Sequence, residues 1–211
     1  MMKTEGITSS NSTENAILAA AEREFLTKGF AGARTTSIAE AAGVTHAMLH
    51  YYFRTKAKLF DRIIEGKISL LKEALFNPVE NENASIEETI QTIIERHLDF
   101  IAANPDLPRF ITSEVYSNTE RSDVFLSQIT KYAPIMLNNL QSKIDRAAEA
   151  GHCRHVDARM LILDITSLNI FSFIAAPILN AAMSGLTADF EKFIAMRKKE
   201  NFDTIMRKLK P

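Results

Sequence analysis

A single cysteine, Cys153, stands in the 211 residues, which excludes an internal disulfide and with it the cross-linked scaffolds of small secreted proteins. Glycine and proline are scarce, at seven and six, too few for the many turns of an all-β architecture. Disorder is excluded as well, because 46% of the residues are hydrophobic. There is no glycine-rich phosphate loop, no nucleophile elbow and no acid pair at a recognisable spacing, so nothing points to an enzyme or to a cofactor. The opening MMKTEGITSSNSTEN has no apolar run of the signal-peptide kind, and a reducing, cytoplasmic setting is expected. Period-two alternation of useful length is missing too, which leaves an all-α protein.

The long hydrophobic run MLILDITSLNIFSFIAAPILNAAM, from Met160 to Met183, is punctuated by Asp164, Thr166, Ser167, Asn169, Ser172 and Pro177. A charge at membrane depth is costly, so no membrane span is expected there. A helix apolar on nearly every face needs cover on nearly every face, and part of that cover is expected from a second copy of the chain, with Asn169 and Ser172 on the helix so assigned.

Charge is unevenly spread beneath a formal net charge of -1. From Arg34 to Arg62 five basic residues stand against two acids, whereas from Ile63 onward 17 basic residues stand against 20 acids. A basic head on an acidic body suits a polyanion contact confined to one end of the chain.

Periodicity and capping residues mark about nine helices. Ser12 or Thr13 reads as the cap of a first helix to Gly29, after a frayed start, with Ile17, Ala20, Ala21 and Phe25 on one stripe. Thr35 reads as the cap of a short helix that turns Ile38, Ala39 and Ala42 inward, and Gly43 permits a positive-φ turn before a second short helix from Thr45. Two short helices joined through glycine match a helix-turn-helix, here about residues 34–53. Leu49 and Phe53 hold its second helix inward, while His46, Ala47, His50 and Tyr51 share an outward arc at 100° per residue. Thr55 caps a longer helix ended by Asn77 and Pro78, and Ser85 with Glu88 forms a capping box for a helix to Ala103. Beyond NPDLP and a helix through Val115 come a stretch from 121 to 150 interrupted by Pro134, one helix from Asp157 to Met183, and one from Ala188 to Leu209.

The residues GFAGARTTSIAEAAGVTHAMLHYYFRTKAKLF resemble the tetracycline-repressor (TetR) family of bacterial transcriptional regulators, over about residues 13–64. The Gly29-Phe30 pair, IAEAAGV and LHYYFRTKAKLF carry the likeness at linked spacings. The resemblance implies a homodimer whose subunits have a DNA-binding domain, residues 11–71, and a larger helical domain, residues 72–211, for a small-molecule effector and for dimerisation. It implies a repressor released from a palindromic double-stranded operator by that effector. The alternative is a small-molecule-sequestering protein whose head is vestigial. Carried over position by position, Thr35 and Thr36 meet phosphate or a base edge, Thr45, His46 and Ala47 enter the major groove, Tyr51 and Tyr52 contact backbone or thymine methyls, and Lys56 meets a phosphate. His50 replaces the tyrosine that many relatives have. IAANPDLPRFITSEV and GHCRHVDARML look like the bodies of a subset of such regulators.

His46 and His50, four apart, have a zinc-like spacing but no third ligand nearby, and HCRH at 152–155 reads as a polar turn, so no metal is expected. The effector-pocket candidates are His97, Phe100, Phe110, Glu114, Asn169 and Phe173, polar anchors and aromatics on helices able to line an apolar cavity.

Overall fold

The structure, a computed structural model, describes residues 5–117, 119–183 and 185–211. Among these residues lie ten helices and no strand: α1 (Glu5–Gly32), α2 (Thr35–Ala41), α3 (His46–Phe53), α4 (Lys56–Glu80), α5 (Ile86–Ala102), α6 (Leu107–Ser117), α7 (Thr119–Glu149), α8 (Ala158–Ile174), α9 (Ala176–Ala182) and α10 (Phe190–Leu209). They form two compact units, Met1–Lys67 with Thr112–Phe125, and Ile68–Ile111 with Leu126–Pro211. The division thus falls four residues before the expected boundary at 71, and the first unit also takes a segment from much later in the chain.

In the first unit the expected stripe of α1 is inside, with Ile17, Ala20, Ala21 and Phe25 all buried. The helix begins earlier than its polar residues suggest, at Glu5, so Ser12 and Thr13 lie within it rather than capping it and the expected frayed start is helical from that residue. Ser, Thr and Asn weaken a helix without forbidding it. Gly29 breaks it, at φ 68 and ψ 174. This conformation favours glycine, and a Cβ there would stand 3.2 Å from Glu114 Oε1, the oxygen that accepts the Phe30 N–H at 2.9 Å. Beyond the break, the rings of Phe25, Phe30 and Phe60 pack with centroids 5.2–5.9 Å apart.

α2 is short and small-sided, burying Ile38 and Ala39, which lets α3 cross it closely. Its cap position is Arg34, in extended geometry and without a side-chain cap bond, so Thr35 is the first helical residue and not the expected cap. Gly43 makes the turn at φ 68, as expected. Thr45 caps α3 by accepting the Met48 N–H at 3.2 Å, and Thr55 accepts the Lys58 N–H at 3.1 Å at the start of α4.

The second unit has the apolar core. Ile90, Ile93, Ile94 and Leu98 of α5, Leu140 and Ile144 of α7, Leu161 and Ile165 of α8, and Ile205 and Leu209 of α10 are essentially inaccessible. The Ser85–Glu88 capping box is complete in both directions. Lys143 lies buried within this unit, where its ammonium donates to Asn81 O, Ala84 O and Thr89 Oγ1 at 2.6–3.0 Å. All three of its donors are met, which fastens the α4–α5 connection to α7.

Three further differences from the sequence expectation fall at prolines. α4 continues through Pro78 to Glu80: the proline loses the bond to the carbonyl four residues back and crowds it, but buried Val79 holds the last turn to the core. α7 runs on through Pro134 for the same local reason, with Met136 buried beyond it. The expected single helix to Met183 instead breaks at Ala175, before Pro177, and α8 and α9 meet at 70°, which raises the count from nine to ten. Among the described residues no single helix is long and apolar enough to cross a membrane.

The faces of α8 are also reassigned. Leu161, Ile165, Asn169 and Ser172 recur at helical spacing and point inward, Asn169 wholly buried and Ser172 7% exposed. They are therefore core positions of the helix that was expected to be covered in part by a second copy. The outward stripe is Met160, Leu163, Phe171 and Ile174, at 42–63% exposure.

Asn169 organises a buried polar chain. Asn201 donates to its carbonyl oxygen at 2.7 Å, and its own amide nitrogen donates to Ile94 O and pairs with His97 Nδ1, each at 3.2 Å. Burial pushes the His97 imidazole down from its ordinary 6.5 to about 4. The folded state then takes up its proton later than the unfolded chain, so this contribution to stability is full above about pH 6.5 and is lost as pH falls towards 4. Over that window His97→Gln is expected to remove up to about 1.4 kcal/mol per pH unit from the slope of unfolding free energy against pH. Urea unfolding of both proteins at pH 4.5 to 7 measures it, and parallel slopes would contradict the burial account.

Candidate nucleic-acid interface

Only Leu49 and Phe53 of α3 are buried, and apart from half-buried Tyr52 the rest of this helix is exposed. His46, Ala47, His50 and Tyr51 are all exposed, Tyr51 at 69%, which is the arc expected from 100° spacing. Met48, 44% exposed, joins them. Spacing alone does not single it out, because a methionine between core positions reads as core, whereas a helix held by two residues buries too narrow a stripe to include it.

The short helix is braced from three sides. At its start Thr35 Oγ1 stands 3.0 Å from His46 Nε2, tying the first residue of α2 to the first of α3 and leaving the other imidazole nitrogen outward. Thr36 and Thr45 are exposed beside it. Tyr52 is half-buried, its ring edge-on to Tyr51 at 5.6 Å and tilted against Phe53 at 6.3 Å. One tyrosine thus supports the other, and Tyr51 is the member presented to solvent.

At its end α3 stops on Arg54, which has φ 59 and ψ -49 and still donates its N–H to His50 O at 2.9 Å. It is the one non-glycine residue with positive φ among those described, and its guanidinium stands 5.8 Å from the Tyr51 ring centroid. A side chain in this region of φ is strained.

Lys56 does more than the resemblance implies. Half-buried, it donates to Phe30 O at 2.8 Å and Ala33 O at 3.0 Å, and its ammonium lies 4.4 Å from the Phe30 ring centroid. An ammonium has three donors, so one is left for a phosphate oxygen. The sequence could have shown this second task through GFAGA, because the carbonyls that follow a glycine break need donors. Nearby, Glu24 accepts from Lys28 at 2.8 Å and from the Arg34 N–H at 3.2 Å, and these bonds hold its carboxyl below the usual range.

The effector candidates scatter. His97 and Asn169 are brought into contact, and Phe173 lies on α8 one turn beyond Asn169, edge-on to Phe190 at 6.2 Å. Phe100 is half-buried on α5 and Phe110 buried on α6. Glu114 is elsewhere, in the first unit, on the Phe30 N–H. None of the six lines either of a pair of open clefts, of about 600 and 490 Å³, that share Glu87, His152 and Met206. Among the described residues no group of three or more His, Cys, Asp or Glu side chains is placed to hold a metal ion.

Residues 17–63 match the family described as bacterial regulatory proteins, tetR family, and residues 87–205 match the tetracyclin repressor-like C-terminal domain. The nucleoid occlusion factor SlmA of Marinomonas sp. (strain MWYL1) is 34% identical over 104 residues, 46% of this chain and 51% of that protein. The HTH-type transcriptional repressor SCO4008 of Streptomyces coelicolor is 30% identical over 125 residues, 56% of this chain and 61% of that one. The chain thus spans about half to three-fifths of the length of these curated relatives. The fold is that of the TetR family transcriptional regulator PfmR of Thermus thermophilus, at TM-score 0.69 and 20% identity over 92% of this chain and 99% of that one. It is also that of the regulator FadR of Bacillus subtilis, solved with stearoyl-CoA, at TM-score 0.64 and 18% identity over 92% and 97%.

Glycine accepts the Arg54 conformation without strain, so Arg54→Gly is expected to stabilise the chain by about 1 kcal/mol while removing a cation beside α3. Thermal unfolding with a DNA titration measures both effects. A destabilised variant with undiminished DNA affinity would refute the strain and the placement together.

Proposed function

The chain belongs to the tetR family of bacterial regulatory proteins, and on that premise we propose that it is a homodimeric, ligand-responsive repressor of transcription. The observation that carries this reading is the exposed outward face of α3, with His46, Ala47, Met48, His50 and Tyr51 in solvent on a helix anchored by two core residues. Such a face is poorly explained by folding alone and fits the floor of a major groove. The contacts divide by chemistry. Thr45, His46, Ala47 and His50 meet base edges, Tyr51 meets a thymine methyl or the backbone with Tyr52 bracing it, and Thr35, Thr36 and Lys56 position the head on phosphates. The first unit is the DNA-binding part, and the second binds the effector and a second copy of the chain in the cytoplasm.

Dimerisation is supported by the outward stripe of α8, Met160, Leu163, Phe171 and Ile174, which continues into Ile178 of α9 at 70% exposure. Large apolar side chains so grouped gain by mutual burial, about 1.5–3 kcal/mol each when fully covered. A dimer presents two recognition helices to one face of the duplex, with half-site centres about 34 Å apart or a little more. An effector releases the operator by favouring a state in which that spacing is lost, which requires different affinities for the two states. The Bacillus subtilis FadR complex with stearoyl-CoA supports a small-molecule effector on this fold. The rival reading, a sequestering protein with a vestigial head, leaves the exposed α3 face without a purpose.

Selection from a random DNA pool is expected to return a palindrome, bound about tenfold or more weakly by Tyr51→Ala with the fold unchanged by circular dichroism. A pool that yields no enriched sequence would favour the sequestering protein. Phe171→Arg is expected to sediment as a folded monomer, and a native dimer would show that α8 faces something else.

A further inference from the structure

The arginines and lysines around α3 stand beside it and not upon it. Arg34, Arg54 and Lys58 are exposed and Lys56 is half-buried, and all four lie outside the helix. α3 itself, His46–Phe53, has no arginine, lysine, asparagine, glutamine, aspartate or glutamate. Those six residue types tell bases apart by hydrogen bonding in the major groove: Arg or Lys on guanine, Asn or Gln on adenine, Asp or Glu on cytosine. A face that lacks all of them has to read sequence by another property.

The exposed residues divide that face into two sectors. At 100° per residue His46 and His50 lie about 40° apart along one edge, while Ala47, Tyr51 and Met48 fill about 100° on the other. The second sector is opposite buried Leu49 and Phe53, with Tyr51 69% and Met48 44% exposed. Polar groups at the start of the helix are already engaged. Thr45 Oγ1 accepts the Met48 N–H at 3.2 Å, and His46 Nε2 stands 3.0 Å from Thr35 Oγ1. His50 adds an imidazole, whose nitrogen makes one hydrogen bond where a guanidinium or carboxamide makes two in one plane.

An apolar sector gains by meeting an apolar group, and in the major groove that group is the 5-methyl of thymine. The cations on either side hold the head to phosphates, which fixes position without reading sequence. We infer that the operator is read chiefly through thymine methyl groups packed against Ala47, Met48 and Tyr51, with Met48 a specificity-determining residue. This names the chemistry by which the DNA is recognised and rests on the reading of α3 as the helix that enters the groove.

The test uses the full chain and the operator selected from the random pool, remade with deoxyuridine for thymidine. That change removes only the methyl groups and leaves base pairing and the hydrogen-bonding edges intact. Fluorescence anisotropy at fixed salt is expected to show a loss of tenfold or more for the fully substituted operator, and about threefold at each contacted thymine, with a scrambled duplex unchanged. Cytosine at a contacted position is expected to weaken binding, and 5-methylcytosine, which restores the methyl alone, to recover most of the loss. Met48→Ala, folded by circular dichroism, is expected to bind the thymine operator threefold or more weakly and to lose the penalty for uracil at one position in each half-site.

An operator without thymine in its half-sites, equal affinity for the thymine and uracil forms, 5-methylcytosine no better than cytosine, or a Met48→Ala protein with the full uracil penalty at every position would overturn the inference. A selected operator preferred over scrambled DNA yet indifferent to uracil overturns methyl reading alone. A pool with no enriched sequence overturns the repressor reading, and methyl reading with it.

Discussion

Two carbonyl oxygens at the end of the first helix, those of Phe30 and Ala33, converge on the ammonium of Lys56, and the geometry of the head depends on that convergence. Gly29 breaks α1 by adopting positive φ, which leaves carbonyls of the following turn in want of donors. Lys56, the first residue of α4, supplies two of them, and the Phe30 ring beneath it adds the attraction of a π face for a cation. From the other side Glu114 holds the Phe30 N–H. The break is therefore bound on both its donor and its acceptor sides, and the start of α4 is fixed to the end of α1. Between these two fixed points the chain has only α2, the glycine turn and α3 to fit in, so the orientation of α3 follows.

That constraint explains how so short a helix can present so much of its surface. Eight residues with two in the core would not hold a helix by burial alone. α3 is held instead by its Thr45 cap, by the Thr35–His46 bond to α2, by the Tyr51–Tyr52–Phe53 ring series and by the arrest of the chain at Arg54. Each of these acts at an end or along one edge, which leaves the middle of the outward face clear. Lys56 belongs to both accounts: the ammonium that positions the head has one donor remaining for a phosphate, so a DNA contact there would read the backbone through the same atom that sets the fold.

The head was largely legible in the sequence because its signals are local. Small residues in α2, a glycine at the turn, hydroxyl caps and a 100° arc each act within a few positions, and the structure reproduces them with small shifts, such as the move of the α2 cap from Thr35 to Arg34. The second unit was legible only as helices. α8 is apolar nearly all round, so periodicity could not tell the inward Asn169 and Ser172 from the outward Phe171, and the decision came from α5 and α10, which pack against it. The break at Ala175 needed more than the presence of Pro177, because Pro78 and Pro134 sit within helices that continue. Glu114 is the clearest case: its partner is 84 positions away, and nothing near it in the chain distinguishes a pocket residue from a clasp on the first helix.

The central claim is that the exposed face of α3 reads DNA sequence. Its most direct measurement is the affinity ratio of the unmodified protein for its selected operator and for a scrambled duplex of equal length, taken at fixed salt. A repressor should prefer the operator by a factor of about 10³ or more. A ratio near one at every salt concentration would mean that only backbone charge is felt, and would contradict the account.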